Sequence, residues 1–549
     1  MAAVSWSAPV VVAHNATLDA TASDSEGVVA AVFAVQGGPK DFGGVSSSVG
    51  LAAIVAGAGG AVSPLLPLSS SSTALDPVVA VAANRPVVAW LDSSGSATST
   101  VWVWDAWSVS TPIVQVATGA YGAAPAVATD DRGDALVTWV DAAAKEVMAA
   151  SSVGGGAFGA PTAVSADVTL SSPVATMDSQ GTAKIAWQPY EPTTSDPNPP
   201  PGVVMAASAP RGGTFGAPGP ALTAATGSIV RNLSINSDND GRVLVSATVS
   251  APPTWADPTG GPAIDFAIAA PGGAFSSKGQ LPAATGGLFG PAWTTAPDGS
   301  LLEASPTQTA STGGLATTQI ATNGSTSTQD AVDLPSTPTQ PAQIARIVPG
   351  FDTSGDTILA FTRLGSTQPA GFGNPTAGSI LSVVKPAGSG AWCPPQLVSG
   401  LMSPFFPIGA AYDGAGHGVI LYQQTPYGTV AAAYVTGHSG GCVAPTTAPM
   451  TITLASVARA DRKLHTATIA LRCAASTGCH GKLVLLGSAS RTLASGTVSR
   501  PNRSFAPIRV QLTSLGRSSL KHHKRVSTRA VLVTGSSNLT LRRVTLTRG

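Results

Sequence analysis

One spaced pattern constrains this chain more than any other feature. An apolar run ends in Asp; Gly follows three residues later, and a second apolar run carries an aromatic six residues after the Gly. The pattern is clearest at Asp130, Gly133 and Trp139. It returns at Asp24, Gly27 and Phe33; at Asp178, Gly181 and Trp187; at Asp352, Gly355 and Phe361; and at Asp413, Gly416 and Tyr422. Three copies are altered: Asp238 and Gly241 precede Ala247, Gly299 precedes Ser305, and Asn84 takes the Gly place before Trp90. A tight hairpin needs a residue at positive φ, which Gly and Asn supply. An Asp before it can accept backbone N–H bonds. The aromatic on the second strand is suited to filling space between packed sheets.

Each copy has a second half, a strand, a Gly-rich turn and another strand. "VMAASSVGGGAFGAPTAVS" with Phe158 and Pro161 is one case, and "VVMAASAPRGGTFGAPGPAL" with Phe215 and Pro218 is another. The uncharged stretch 49–68 falls on such a half, so it reads as two strands and not as a membrane span. Four strands per copy, recurring about every 50 residues, predict a β-propeller. Eight blades is the preferred count and seven the alternative. Residues 6–14, "WSAPVVVAH", read as a stray fourth strand, and the last copy (405–437) has only three. The N-terminal strand is therefore expected to complete the last blade and close the ring. "GGCVAP" (440–445) is the competing fourth strand.

Composition agrees with an all-β chain. Charged residues make up 10%, and there are 61 Gly and 44 Pro, which disfavours long helices. Net charge is +1, but 17 of the 29 bases and only one of the 28 acids, Asp461, lie beyond Thr451. That asymmetry divides the chain into a propeller, 1–445, and a basic β-sandwich, 446–549, with six or seven short alternating strands. The basic domain is expected to contact an anionic surface, whether cell-envelope polymer, membrane or the acidic front domain. No specific nucleic-acid recognition is expected. Four Cys fall in two groups, Cys393 with Cys442 and Cys473 with Cys479, and predict two disulfides and an oxidising compartment. The first residues lack the basic start and apolar core of a signal peptide. The expected location is still extracellular or the cell surface, reached by another route or with a leader that this sequence does not include.

On these repeats the chain resembles secreted bacterial β-propellers of the sialidase-like and WD40-like class. The tail is similar to the Cys-containing sandwich appended to many exported proteins of high-GC bacteria. The sialidase chemistry is not carried over. The Asp-x-x-Gly turn lies between strands one and two instead of three and four, and the propeller has only seven Arg, with Arg85 and Arg132 in turns. The RGD tripeptide at 132–134 is absorbed by the repeat. Asn236, Asp238 and Asp240 before Gly241 open like a calcium loop, but the twelfth position is Ala247, so no cofactor is expected; Asp238 and Asp240 are where calcium would sit.

Long loops join strands two and three in consecutive copies, at 188–202, 251–262, 307–314 and 364–378. They would cluster on one rim, where loops commonly bind ligands. Tyr190, Glu191, Asp196, Trp255, Asp257, Phe372 and Asn374 are the expected contacts. The leading expectation is an exported, non-enzymatic protein binding a glycan, peptide or cell-envelope polymer. A glycoside hydrolase or lyase using Asp196 and Asp257 is the alternative, and a structural surface component the third reading.

Overall fold

The computed structural model describes residues 6–548 apart from 37–48, 94–97, 109–111, 166–170, 190–200, 251–262, 283–290, 309–311, 336–343, 352–354, 364–377, 403–405, 414–416, 425–427, 436–451, 474–478, 488–490, 501–504, 534–537 and scattered single or paired positions. Thirty-one strands build eight antiparallel blades. The first comprises the second half of β1 (Val10–Ser23), β2 (Val28–Gln36), β3 (Val49–Gly57) and β4 (Leu66–Ser69). The second is β5 (Ala74–Ala82) to β8 (Ile113–Ala120), the third β9 (Ala126–Thr129) to β12 (Thr162–Ser165), and the fourth β13 (Val174–Met177) to β16 (Gly219–Thr226). The fifth runs from β17 (Ile229–Ser237) to β20 (Phe275–Pro282), the sixth from β21 (Ala292–Thr295) to β24 (Thr326–Pro335), and the seventh from β25 (Ile344–Phe351) to β28 (Gln396–Met402). The eighth has β29 (Ile408–Tyr412), β30 (Gly418–Gln424) and β31 (Gly428–Val435).

Its fourth strand comes from the other end of the chain. Val10 to Ala16 of β1 pair antiparallel with Ala432 to Gly428 of β31, and from Ala16 onward the same strand pairs with β2. One strand thus serves the last blade and the first. Gln423, fully buried, clamps the crossover: its Oε1 accepts from Leu18 N at 2.8 Å, and its Nε2 donates to the carbonyls of Ala16 and Thr429 at 3.1 Å. Trp6 extends the seam with a bridge to Val435 and donates its indole N–H to Ser382 Oγ at 2.8 Å. "GGCVAP" lies outside the described residues.

The core has the same circularity. Eight apolar clusters each straddle one pair of neighbouring blades, and the one joining the eighth to the first packs Leu18 and Phe33 with Val419, Leu421 and Val430. The repeat's aromatic position supplies the wedge. Trp90, Trp139, Trp187, Phe361 and Tyr422 each join the cluster shared with the preceding blade, and none is more than 2% exposed. In the degenerate fifth copy, Ala247 does so with a smaller side chain.

The Asp–Gly turn explains the other half of the pattern. The Oδ1 atoms of Asp24, Asp130, Asp178 and Asp238 accept backbone N–H bonds from the residues two and four positions on. The turn Gly sits at positive φ, for example +82° at Gly133 and +85° at Gly241. It also meets the blade before it: a Cβ on Gly181 would lie 2.6 Å from Asp134 Oδ2, and one on Gly27 would lie 2.8 Å from the Cβ of Asp413. The turns therefore link neighbouring blades on the short-turn face. Asp134 of the RGD tripeptide is 1% exposed and accepts from Arg211 Nε at 2.5 Å, so it is a clamp between the third and fourth blades and not an accessible adhesion residue. Asp238, the calcium candidate, has its second oxygen engaged by Arg242 Nε at 2.5 Å.

The tail holds β32 (Ile452–Leu454), β33 (Val457–Ala460), β34 (Thr466–Cys473), β35 (Cys479–Leu486), β36 (Thr492–Arg500), β37 (Phe505–Leu512), β38 (Arg525–Val533) and β39 (Asn538–Arg548). The expected sandwich arrives as a single sheet closed on itself. β34 pairs with both β33 and β37, so seven strands make a circuit around one core of Leu471, Leu483, Leu485, Val510 and Leu546. A helix, α1 (Ser514–His522), is capped by Thr513, whose Oγ1 accepts from Gly516 N at 3.1 Å. "HHKR" (522–525) spans the end of that helix and the start of β38. Residues 49–68 are β3 and β4 with their connecting turn. Among the described residues, no helix is long and apolar enough to cross a membrane.

Candidate functional site

The expected contacts Tyr190, Glu191, Asp196, Trp255, Asp257, Phe372 and Asn374 all lie outside the described residues. So does Cys442. Cys393 is buried in the cluster between the seventh and eighth blades and is held in a disulfide; its pairing with Cys442, and that of Cys473 with Cys479, remain proposals. No group of three His, Cys, Asp or Glu side chains converges among the described residues.

Two features carry chemistry. The first is a cavity of about 560 Å³ between the sixth and seventh blades, on the face of the Asp–Gly turns. Its origin is a missing contact. The sixth copy has Ala296 where six others carry the turn Asp, so no carboxylate of its turn reaches toward Gly355, and a Cβ there would touch only Ala387 of its own blade, at 3.7 Å. The space is lined by Asp298, Gln319, Gln329, Lys385 and Trp392. Lys385 Nζ donates to Gln329 Oε1 at 3.0 Å and lies 5.9 Å from the Trp392 ring centroid. Gln319 Nε2 donates to Ser300 Oγ at 2.8 Å, which itself donates to Asp298 Oδ1 at 2.7 Å. The Trp392 indole N–H is buried and finds no acceptor among the described residues. An aromatic ring with a cation, two amides and a carboxylate around it can stack an apolar face and bond several hydroxyls at once. Sequence reasoning did not single these residues out. The signal was there in part: the sixth copy lacked its Asp, and Trp392 stands where other copies have Phe158 and Phe215.

The second feature lies along the ring axis. The first strand of each blade is innermost and neighbours the first strands on either side, all the way round. Four of them bulge at one level, at Asp19 in β1, Asp76–Pro77 in β5, Asn232–Leu233 in β17 and Ala345–Arg346 in β25. Asp76 and Asn232 sit at φ +48° and +50°. Bulges re-aim side chains, and these stand close to the level of the aromatic positions on the neighbouring second strands. Asp19 Oδ2 accepts Ala34 N at 2.9 Å. Its carboxyl is pushed up to about 6 by burial, against the pull of the Ala34 N–H and with help from the charge of Asp76. Asp19 and Asp76 thus stand on adjacent blades, close enough for the charge of Asp76 to act on Asp19.

A third ionisable group sits between blades. Glu303 of β22 (Leu301–Gln308) is 1% exposed, in the face that the sixth blade turns toward the fifth. Burial pushes its carboxyl up to about 7, against hydrogen bonds from Ser305 and Thr318. The folded protein therefore holds this proton more tightly than the unfolded chain does. Its stability is fully present below about pH 4.5 and falls as pH rises to about 7, by about 3 kcal/mol in all. Glu303→Gln is expected to remove that slope and to raise the urea midpoint at pH 8 above wild type; a parallel pH dependence in the two proteins would contradict the assignment.

No protein family matches the chain, and no curated protein does. Among solved structures it is similar to a polysaccharide lyase of the PL25 ulvan lyase family, at 9% identity over 73% of this chain and 96% of that one, with a TM-score of 0.38. It is similar to the β-propeller domain of the trilobed protease of Pyrococcus furiosus, at 8% identity over 70% and 98%, TM-score 0.36. A fucose-specific lectin of Aleuria aurantia is also similar, at 11% identity over 58% and 96%, TM-score 0.30.

Proposed function

We propose that this protein is an exported carbohydrate-binding propeller that holds its ligand without transforming it. The observation that carries the reading is the cavity between the sixth and seventh blades, where the Trp392 ring, Lys385, Gln319, Gln329 and Asp298 surround a space large enough for a short saccharide. A pyranose offers C–H groups to an aromatic face and hydroxyls to amides and carboxylates. Export is supported by the disulfide at Cys393, a bond that persists in oxidising compartments. The long-loop rim, with Tyr190, Glu191, Asp196, Trp255, Asp257, Phe372 and Asn374, is a second proposed surface for a longer polymer.

The test is a glycan array probed with the intact chain, followed by titration of the best binder. Trp392→Ala is expected to weaken that binder at least tenfold, or about 1.4 kcal/mol, measured under conditions where circular dichroism shows the variant folded, since the ring also packs against the core between the two blades. Equal affinity in the variant would move the site elsewhere. A hydrolase or lyase is the second reading, favoured by the raised carboxyl of Asp19 with a second carboxyl, Asp76, on the adjacent blade, since such enzymes use a protonated acid with a second carboxyl nearby. Release of shorter products from the bound glycan, abolished by Asp19→Asn, would establish it over simple binding.

A further inference from the structure

The tail barrel carries a row of arginines that nothing in the propeller accounts for. Four cross-strand registers line up across five adjacent strands. Arg525 of β38 is opposite Thr547 of β39, Thr547 is opposite Arg459 of β33, Arg459 is opposite Thr468 of β34, and Thr468 is opposite Arg509 of β37. Side chains in register share a face. Here the shared face is the outer one: Arg525, Arg459, Thr468 and Arg509 are all exposed in the whole chain, while their sequence neighbours Leu546, Ala458, Ala467 and Val510 are in the core. The result is Arg, Thr, Arg, Thr, Arg along one line perpendicular to the strands. Arg543 adds a further exposed base on the same face of β39.

None of the three arginines in the row makes an ion pair among the described residues. The tail's one acid, Asp461, is occupied by Thr466 and by the backbone N–H of His465. Three guanidinium groups lined up without counter-charge, each a planar fork suited to a carboxylate or sulfate, make an anion-reading surface. Their pitch selects among anions. Neighbouring strands are about 4.8 Å apart, so successive arginines recur at about 10 Å, and rather more at their tips on a convex wall. That advance is close to two linked pyranose rings. It is wide for the successive phosphates of a nucleic-acid strand. The tail also contains a single aromatic, Phe505, so it has no platform on which bases could stack.

We infer that this row binds a linear anionic polysaccharide carrying one acidic group per disaccharide. Each arginine takes one acid, and the threonines between them take the intervening sugar hydroxyls. The site is separate from the cavity of the propeller and does not rest on that reading. It would tether the protein to a charged matrix while the propeller engages a ligand of its own.

The experiment uses the full chain and hyaluronan oligosaccharides, which bear one carboxylate per disaccharide, as the probe. Comparison arms are neutral dextran of equal length, a 20-nucleotide single-stranded DNA and vesicles of phosphatidylglycerol. The triple variant Arg459→Gln, Arg509→Gln, Arg525→Gln is expected to bind hyaluronan at least 50-fold more weakly than wild type. A control of equal charge change outside the row, Lys482→Gln, Arg491→Gln, Lys521→Gln, is expected to lose less than threefold. All six substituted positions are exposed, and unchanged circular dichroism establishes that both triple variants fold. Equal losses in the two triple variants would reduce the effect to net charge and overturn the row. Tighter binding to DNA or to vesicles than to hyaluronan would overturn the assignment of the polymer. Failure of the Trp392 test would leave this result untouched, and the reverse holds too.

Discussion

A chain lacking residues 1–15 should lose the cooperative unfolding of its propeller. Those residues supply the fourth strand of the eighth blade, the Trp6 contacts with Ser382 and Tyr412, and the strand that carries over into the first blade. Without them β31 becomes an open edge, and an unpaired edge exposes a row of backbone donors and acceptors. Trp6 is 2% exposed, and its replacement by Ala alone should cost about 3–5 kcal/mol. The full truncation should cost more, read as a fall in the urea midpoint and a broader transition. A peptide of residues 1–15 added in trans should restore part of the midpoint in a concentration-dependent way, because it binds only the folded form. A truncated chain that unfolds like wild type would mean that the seam does not hold the ring.

Asp178→Asn should be the most damaging single change on the short-turn face. Lys184 and Asp178 are both buried, with side chains 4% and 3% exposed, and Nζ donates to Oδ2 at 2.7 Å and to the Gly241 carbonyl at 3.0 Å. Burial pushes the Asp178 carboxyl up, but the Lys184 ammonium and the backbone N–H groups of Thr182 and Gln180 outweigh it and hold it below the usual carboxylate range. Removing the acid leaves a buried cation unpaired, at a cost of about 3–5 kcal/mol. The double variant Asp178→Asn, Lys184→Met should recover a good part of that loss, because no charge is then stranded. A loss in the double variant equal to the sum of the singles would show that the pair is not coupled. The sign for pH follows: the stability from the lowered Asp178 is present above its unfolded pKa and is lost as pH falls through its folded one.

The ring was legible because its parts are local. The turn needs positive φ, the wedge needs an aromatic at a fixed offset, and an orphan strand at one end answered a missing strand at the other. Even the weak copies were meaningful: Ala296, in place of the turn Asp, lines the cavity, and Ser305 marked the polar face that holds Glu303. The cavity itself was not legible, since it depends on what two blades fail to place between them. Helix α1 was hidden by Gly516, a poor helix former, and the reason for that Gly is tertiary: a Cβ there would collide with the Leu493 carbonyl oxygen. The arginine row was invisible for a similar reason. Its members are scattered from 459 to 525, and only the pairing of β33 with β39 and of β34 with β37, distant in sequence, brings them into line.

Closure of the ring can be read directly from one cross-link. His14 and Thr429 are opposite each other on β1 and β31. Cysteines placed at both positions should form a disulfide under mild oxidation of the folded protein, found by mass spectrometry as a joined peptide pair. Formation in the folded chain, and its absence once urea has unfolded it, is the result expected. A folded protein that leaves both thiols free to alkylating reagent would mean that its two ends do not meet, and the eight-bladed ring would have to be given up.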